Sequence, residues 1–277
     1  FDSGIGGLTI ANAIKEKLPN ENIIYFGDTK HLPYGEKSET AIRDYSLKIA
    51  KYLEKKKCKI IIIACNSASS VAFDHISKEI SSIPIYNVID PVVNTLCDKF
   101  ENKKIGVIGT KATINSGIYQ EKIKSKTSSK VFPLDTPLLA PMIEEGFFND
   151  QLSQTVIESY LSSPQLMGID KLILACTHYP LIQEAIQNYY QGKVDIIDSA
   201  SQVSKAVKVL LENKSLLSNK EALYQFFVSD YTDSFEKSAK FFFHEEIHLK
   251  SSLHYLTNLY FLILDTNIFL GLRQNYL

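Results

Sequence analysis

The sequence predicts an α/β protein with two similar three-layer domains, mostly parallel sheets, and an active site in the cleft between the domains. Three observations indicate this. Short β-branched runs alternate with helical patterns, several runs are apolar on both faces, and two cysteine-containing segments repeat one design. Such alternation is typical of parallel sheets, and strands that are apolar on both faces are covered by helices on both sides.

The strand candidates are short apolar runs at 22–26, 59–64, 83–87, 104–109, 130–134, 171–175, 194–197 and 223–228. Helical patterns lie between or after them, at 8–17, 38–55, 69–80, 150–160, 180–190, 200–212 and 234–243. The motifs discussed below follow the predicted strands directly. Loops after the carboxyl ends of parallel strands are where α/β proteins place their sites, so we expect these motifs to meet.

The repeated cysteine segments set the predicted domain organisation. IIIACNSAS places Cys65 after one apolar run, and LILACTHYPL places Cys176 after another. We predict a first domain formed by residues 1–91 and about 205–277, and a second formed by residues 92–204. Each domain would then present one cysteine to the shared cleft.

The composition excludes several classes of protein. With 30 basic and 31 acidic residues, the chain has no basic excess of the kind that binds nucleic acid. No apolar stretch is long enough to predict a membrane span, because the nearest one, residues 255–272, is interrupted by polar residues such as Asp265. Four cysteines without a CxxC pair do not predict a secreted disulfide scaffold, so we expect reduced thiols in the cytoplasm.

The first glycine turn lies at the start of the chain, in FDSGIGGL. Its spacing differs from the GxGxxG of dinucleotide-binding proteins, but it predicts a helix from about Leu8. Backbone N–H groups at a helix start bind carboxylates as well as phosphates, which makes Asp2 and Ser3 candidates for a ligand site. The chain opens on Phe1 rather than Met, and we expect that its first residues, with most of a first strand, are missing.

A second turn, GDTKHLPYG, follows a predicted strand. Pro33, Tyr34 and Gly35 predict a rigid loop that exposes backbone N–H groups and the Tyr34 phenol. An ordinary surface turn is the alternative interpretation of this segment.

The two cysteines carry the candidate chemistry. Asn66 and Ser67 beside Cys65 can hydrogen-bond a small polar ligand, and a helix starting there is expected to lower the pKa of the thiol. Cys176 is followed by Thr177 and His178, which is compatible with nucleophilic catalysis, metal binding or acid–base chemistry. Only the acid–base interpretation uses both cysteines.

In that interpretation a chiral carbon lies between two thiols. One sulfur, as thiolate, removes a proton from one face, and the other delivers a proton to the opposite face. Thiols suit this task because their ordinary pKa of about 8.5 is near operating pH. We expect no cofactor and no metal, since C-x-H supplies only two metal ligands.

Two further motifs, GTKAT with Thr110 and Thr113 and PMIEEG with Glu144, complete a set that occurs in a fixed order along the chain. Together with FDSGIGGL, GDTKHLPYG, ACNSAS and LACTHYPL, this set resembles the glutamate racemases. That family consists of cofactor-independent enzymes that supply D-glutamate for bacterial peptidoglycan. The resemblance runs from Phe1 to about Phe243.

The resemblance implies a role for each matching residue. Cys65 and Cys176 would be the two catalytic acid–bases, assisted by Asp2, His178 and Glu144. The implied substrate-binding residues are Asp2, Ser3, Pro33, Tyr34, Gly35, Asn66, Ser67, Thr110, Thr113, Thr177 and His178. The family further implies a homodimer with glutamate as its substrate.

Three alternatives remain open from the sequence. An aspartate racemase or a related racemase would keep both cysteines, but aspartate-type members tend to carry Glu at the position of His178. A protein that binds amino acids without turnover would not need either thiol. A thiol redox protein would form a Cys65–Cys176 disulfide.

Overall fold

A computed structural model of the protein describes residues 1–97 and 102–252. Its strands are β1 (Ile23–Gly27), β2 (Ile61–Ile63), β3 (Ile85–Asn87), β4 (Lys104–Gly109), β5 (Lys130–Asp135), β6 (Lys171–Ala175), β7 (Asp195–Asp198), β8 (Tyr224–Val228) and β9 (Leu249–Ser251). Its α-helices are α1 (Leu8–Lys17), α2 (Glu39–Lys55), α3 (Asn66–Glu79), α4 (Ile89–Cys97), α5 (Lys111–Asn115), α6 (Ile118–Lys124), α7 (Leu139–Glu144), α8 (Gln151–Leu161), α9 (Gln183–Tyr190), α10 (Ser199–Asn213) and α11 (Asp233–Phe243). All pairings between these strands are parallel, which confirms the predicted α/β class.

The larger sheet has the strand order β5-β4-β6-β7. Its central strand β6 is buried along its whole length. Leu172 and Leu174 pack into one hydrophobic cluster, and Ile173 packs into a second on the opposite face. Alternate residues of a strand point to opposite faces, so this sheet is covered on both sides, as in a three-layer arrangement.

The remaining strands form the sheets β1-β8-β9 and β2-β3. The start of the chain lies between them: the Phe1 carbonyl accepts from Ala64 N–H at 2.7 Å, and Asp2 N–H donates to the Phe26 carbonyl at 3.0 Å. Residues of both β1 and β2, among them Ile24 and Ile62, line a cavity of about 410 Å³. That a first strand precedes Asp2 stays a prediction.

The C-terminal part of the chain returns to the first sheet, because β8 pairs with β1 in register from Ile23 and Tyr224 onward. The predicted domain limits stay a prediction. The limit at residue 91 lies in the first turn of α4, and the limit near residue 205 lies inside α10. Residues 253–277 of the predicted first domain lie outside the described part of the chain.

Several helices differ from the sequence-based prediction. Helices α4 to α7 were not predicted, because three of them are too short to show a clear periodicity. In α4, Pro91 occupies the first turn, where a missing backbone N–H costs nothing, and Asn87 Oδ1 accepts from Ile89 and Asp90 N–H groups. Helix α3 begins at Asn66 instead of residue 69, so the motif after β2 is part of the helix.

None of the helices in residues 1–97 and 102–252 is long and apolar enough to span a bilayer. The apolar stretch 255–272 lies outside these residues. The same part of the chain contains no group of three or more His, Cys, Asp or Glu side chains that would hold a metal ion.

Candidate active site

Cys65 lies where β2 passes into α3 and is the N-cap residue of that helix. Its sulfur accepts from the Ala68 N–H at 3.5 Å and lies 3.5 Å from the Ser3 hydroxyl. The side chain is almost completely buried. The local fold therefore holds one sulfur at the first turn of a helix, beside the glycine turn at the start of the chain.

The pKa of the Cys65 thiol does not fall, contrary to the expectation from the helix start. Burial, followed by the negative charge of Asp2, raises this pKa from 9.0 to about 12. Contacts with Ser3 and the Ala68 N–H lower the pKa but are outweighed. The prediction was wrong because a buried thiolate loses more hydration than one backbone N–H restores. Cys65 is therefore a neutral thiol at neutral pH.

Asp2 is fully buried behind Cys65. Its Oδ2 accepts from Gly4 N–H at 3.0 Å, and within the described residues its Oδ1 has no hydrogen-bond partner. A Cβ on Gly7 would lie 2.5 Å from Asp2 Cβ. Gly7 is thus required for the close packing that places a carboxylate beside this thiol.

Cys176 follows β6, and its sulfur begins a chain of three side chains. Cys176 Sγ lies 3.5 Å from His178 Nδ1, and His178 Nε2 lies 2.8 Å from Glu144 Oε1. Burial opposes the charged imidazolium, but Cys176 and Glu144 outweigh burial and raise the pKa of His178 well above its usual value. His178 is therefore a positively charged group between a sulfur and a carboxylate. Because a Cβ on Gly6 would lie 2.4 Å from the ring, only glycine fits there.

Both sulfurs face one narrow cavity of about 30 Å³. Its lining residues are Ser3, Leu32, Pro33, Tyr34, Gly35, Cys65, Asn66, Ser67, Thr110, Ala140, Pro141, Glu144, Ala175, Cys176, Thr177 and His178. Of the residues predicted for the site, Asp2 and Thr113 do not line this cavity. Both cysteines are free thiols, so the disulfide of the redox alternative is not formed in this structure.

One wall of the cavity carries a cluster of hydroxyl groups. Ser67 Oγ lies 2.8 Å from Thr110 Oγ1 and 3.4 Å from Thr113 Oγ1. Thr110 is the N-cap residue of α5. Its Oγ1 lies 3.1 Å from Thr113 Oγ1, although Thr113 itself does not line the cavity. A Cβ on Gly35 would lie 2.7 Å from Thr110 Cβ, so this wall packs directly against the Pro33–Gly35 loop.

The Tyr34 phenol is not exposed to the cavity as a free hydroxyl, which corrects the prediction. It is buried and donates to Asp28 Oδ2 at 2.6 Å. Asp28 also accepts from the Ser229 hydroxyl at 2.7 Å and contacts His31 Nδ1 at 2.9 Å. The phenol therefore holds the loop in place, because a buried carboxylate such as Asp28 requires hydrogen-bond donors and Tyr34 supplies one.

Two residues that contact site residues without lining the cavity were given no role from the sequence. Asp28 lies directly after β1, and that position could have identified it. Tyr119, on α6, donates to Asn66 Oδ1 at 2.8 Å. No sequence signal marks Tyr119, because it approaches the site only through the packing of α6 on the sheet.

The chain is similar in sequence and in fold to known proteins. The Asp/Glu/hydantoin racemase family model matches residues 8–206. A glutamate racemase of Aquifex aeolicus is 38% identical over 251 residues, which cover 90% of this chain and 95% of the relative. The crystal structure of Francisella tularensis glutamate racemase in complex with D-glutamate matches with a TM-score of 0.85 and 39% identity, over 91% of this chain and 95% of that one.

Aspartate racemases are more distant. The structure of Picrophilus torridus aspartate racemase matches with a TM-score of 0.54 and 21% identity, over 77% of this chain and 92% of that one, which shows a shared fold alone. The family model, by contrast, covers most of the chain, including both cysteines of the cavity. The chain therefore belongs to the Asp/Glu/hydantoin racemase family, within its glutamate racemase branch.

Proposed function

We propose that the protein interconverts L- and D-glutamate by moving the Cα proton between Cys65 and Cys176. One observation carries the proposal: the two thiols come from the ends of two different sheets and face the same cavity. A racemase has to reach both faces of one carbon, so it needs two groups of similar chemistry on opposite sides of the substrate.

The choice of glutamate rests on the relatives. The Francisella tularensis glutamate racemase, which matches with 39% identity, was crystallised with D-glutamate. In this chain, Asn66 and the hydroxyls of Ser67 and Thr110 line the cavity and supply hydrogen-bond donors for carboxylates. His178 stands at the position where aspartate-type enzymes tend to carry Glu, which also favours glutamate.

The two sulfurs have different neighbours. The pKa of Cys65 is raised to about 12, which favours its thiol form, and His178 Nδ1 lies 3.5 Å from the Cys176 sulfur. In the direction of reaction that begins with Cys65 as thiol, the Cys176 sulfur, as thiolate, removes the Cα proton, and Cys65 donates its own proton to the opposite face. The result is the mirror-image amino acid, a Cys176 thiol and a Cys65 thiolate, and the reverse reaction restores the first state.

The transient carbanion is the costly species in this reaction. Donors already fixed around the carboxylate stabilise the developing charge without reorganisation. The hydroxyl cluster of Ser67, Thr110 and Thr113 is held by its own hydrogen bonds. After this turnover Cys65 has to regain a proton and Cys176 has to lose one. Asp2 on the Cys65 side and His178 with Glu144 on the Cys176 side lie where they can relay these protons.

The wider role follows from the reaction. D-glutamate is a building block of bacterial peptidoglycan, and we propose that the enzyme supplies it in the cytoplasm without a cofactor. A homodimer, as implied by the family resemblance, is part of the same proposal.

The deciding experiment incubates the purified protein with L-glutamate in D2O without added cofactor. Circular dichroism then follows the optical activity, and mass spectrometry follows deuterium at Cα. We expect the optical activity to vanish while one deuterium enters. L-aspartate in parallel decides the substrate, and the double variant Cys65→Ala/Cys176→Ala is the matched control. Binding of glutamate without deuterium exchange at Cα would instead favour the alternative in which the protein binds amino acids and catalyses no reaction.

A further inference from the structure

Asn66 joins the cavity to a tyrosine that lies outside it. The side chain lines the cavity at the start of α3, and its Oδ1 accepts from the Tyr119 hydroxyl at 2.8 Å. Asn66 and Tyr119 are 2% and 1% exposed, so neither side chain is held by bulk water. This hydrogen bond also connects two parts of the fold, because α3 follows β2 and α6 follows β4.

The other end of the Asn66 amide has no partner. Within the described residues, its Nδ2 is buried and makes no hydrogen bond. A buried donor without an acceptor is costly, and structures that keep one usually have a use for it. An NH2 group recognises oxygen acceptors, and the substrate of the proposed reaction carries two carboxylates.

The Tyr119 hydroxyl contacts the oxygen end of the Asn66 amide. Burial raises the pKa of Tyr119, so its hydroxyl keeps its proton. A hydroxyl that donates to Oδ1 fixes the amide with its NH2 directed away from Tyr119. Without this contact the two ends of the amide are nearly equivalent in shape, and an inverted amide would present an oxygen to a carboxylate.

We propose that Tyr119 is a positioning residue that orients the Asn66 amide so that its NH2 donates to a carboxylate oxygen of the substrate. The inference rests on the proposed racemase function. It concerns binding in the ground state and in the transition state alike, because the carboxylate is present in both. Loss of such an interaction raises KM and leaves kcat nearly unchanged.

The test is Tyr119→Phe, which removes one hydroxyl and keeps the ring in its buried position. We expect KM for glutamate to rise about tenfold, with kcat within about threefold of wild type. The matched control is Tyr224→Phe, which removes a hydroxyl that donates to the Pro19 carbonyl at a distance from the cavity. The control should leave KM unchanged. A lower thermal stability of Tyr119→Phe with wild-type KM would overturn the proposal, since a merely structural hydrogen bond gives that result.

A double-mutant cycle separates an effect through Asn66 from a direct effect. In the Asn66→Ala background, Tyr119→Phe should change KM by less than about twofold, because no amide remains to be oriented. A full tenfold effect in that background would contradict the inference. Calorimetric titration of D-glutamate into each variant measures the same loss without turnover. If the wild-type protein binds glutamate but does not racemise it, the proposed function is wrong. The titrations still measure whether Tyr119 contributes to glutamate binding through Asn66.

Discussion

The two cysteine sites of this protein look alike in sequence and differ in chemistry. Each cysteine follows Ala at the end of a buried parallel strand. Cys65 caps a helix directly and lies beside the buried carboxylate of Asp2, which keeps it a thiol. Cys176 enters a turn that brings His178 to its sulfur, and Glu144 supports that ring. Repetition of a motif thus provides two like groups in different surroundings: burial and a carboxylate raise the pKa of Cys65, and an imidazole lies beside Cys176.

The largest expected effect comes from deleting either sulfur. Cys65→Ala and Cys176→Ala should each lower the racemisation rate by at least about 10³-fold, because each removes the acid–base group on one face. The measurement is the loss of optical activity of L-glutamate. Cys58→Ala, which alters a half-buried thiol away from the cavity, is the control and should retain activity. Full activity in Cys65→Ala or in Cys176→Ala would contradict the proposal that both thiols transfer the Cα proton.

A smaller effect is expected from the support of Cys176. His178→Asn should lower kcat by about 10²-fold, since it removes the imidazole that lies 3.5 Å from the Cys176 sulfur and can exchange a proton with it. Glu144→Gln should lower kcat by about tenfold, because Glu144 acts only through His178. Steady-state kinetics of both variants measure kcat and test whether the loss is larger for His178→Asn than for Glu144→Gln. A Glu144→Gln defect larger than that of His178→Asn would show that the carboxylate has a separate role.

The raised pKa of Cys65 predicts a difference in reactivity between the two sulfurs. Iodoacetamide near neutral pH should modify Cys65 at least about tenfold more slowly than Cys176, because the thiolate is the nucleophile, the pKa of Cys65 is raised to about 12, and both side chains are similarly buried. Mass spectrometry of peptides after timed quenching measures both rates. In His178→Asn, which removes the imidazole beside the Cys176 sulfur, the two rates should converge. Faster modification of Cys65 in the wild type would contradict the raised pKa of its thiol.

The smallest effect concerns stability at alkaline pH. The pKa of Cys65 is raised on folding from 9.0 to about 12, so its contribution to the free energy of unfolding is complete below pH 9.0 and declines as pH rises toward about 12. Between about pH 8 and about pH 10 the wild type should lose roughly 1 kcal/mol more than Cys65→Ser. Urea unfolding at both pH values measures the difference. Equal losses would mean that the thiol is not desolvated as the structure indicates.

Much of the fold and site was predictable because the informative residues are local in sequence. Short apolar runs located strands β1 to β8, period-3.6 patterns located the longer helices, and polar residues directly after strands marked the cavity. The short helices α4 to α7 were missed, since their lengths are fixed by packing and by caps such as Asn87. The raised pKa of Cys65 was missed for a related reason: burial depends on elements that are distant along the chain.

The sequence by itself determined the parallel α/β class, the two cysteines and the family of motifs around them, because strand periodicity and turn chemistry are properties of neighbouring residues. Only the tertiary structure decided which groups touch. Asp2 reaches Cys65, Glu144 reaches His178, and Tyr119 reaches Asn66 across different elements of the fold. Charge, desolvation and hydrogen bonding act through space, and so the division of roles between two similar thiols appears only once the chain is folded.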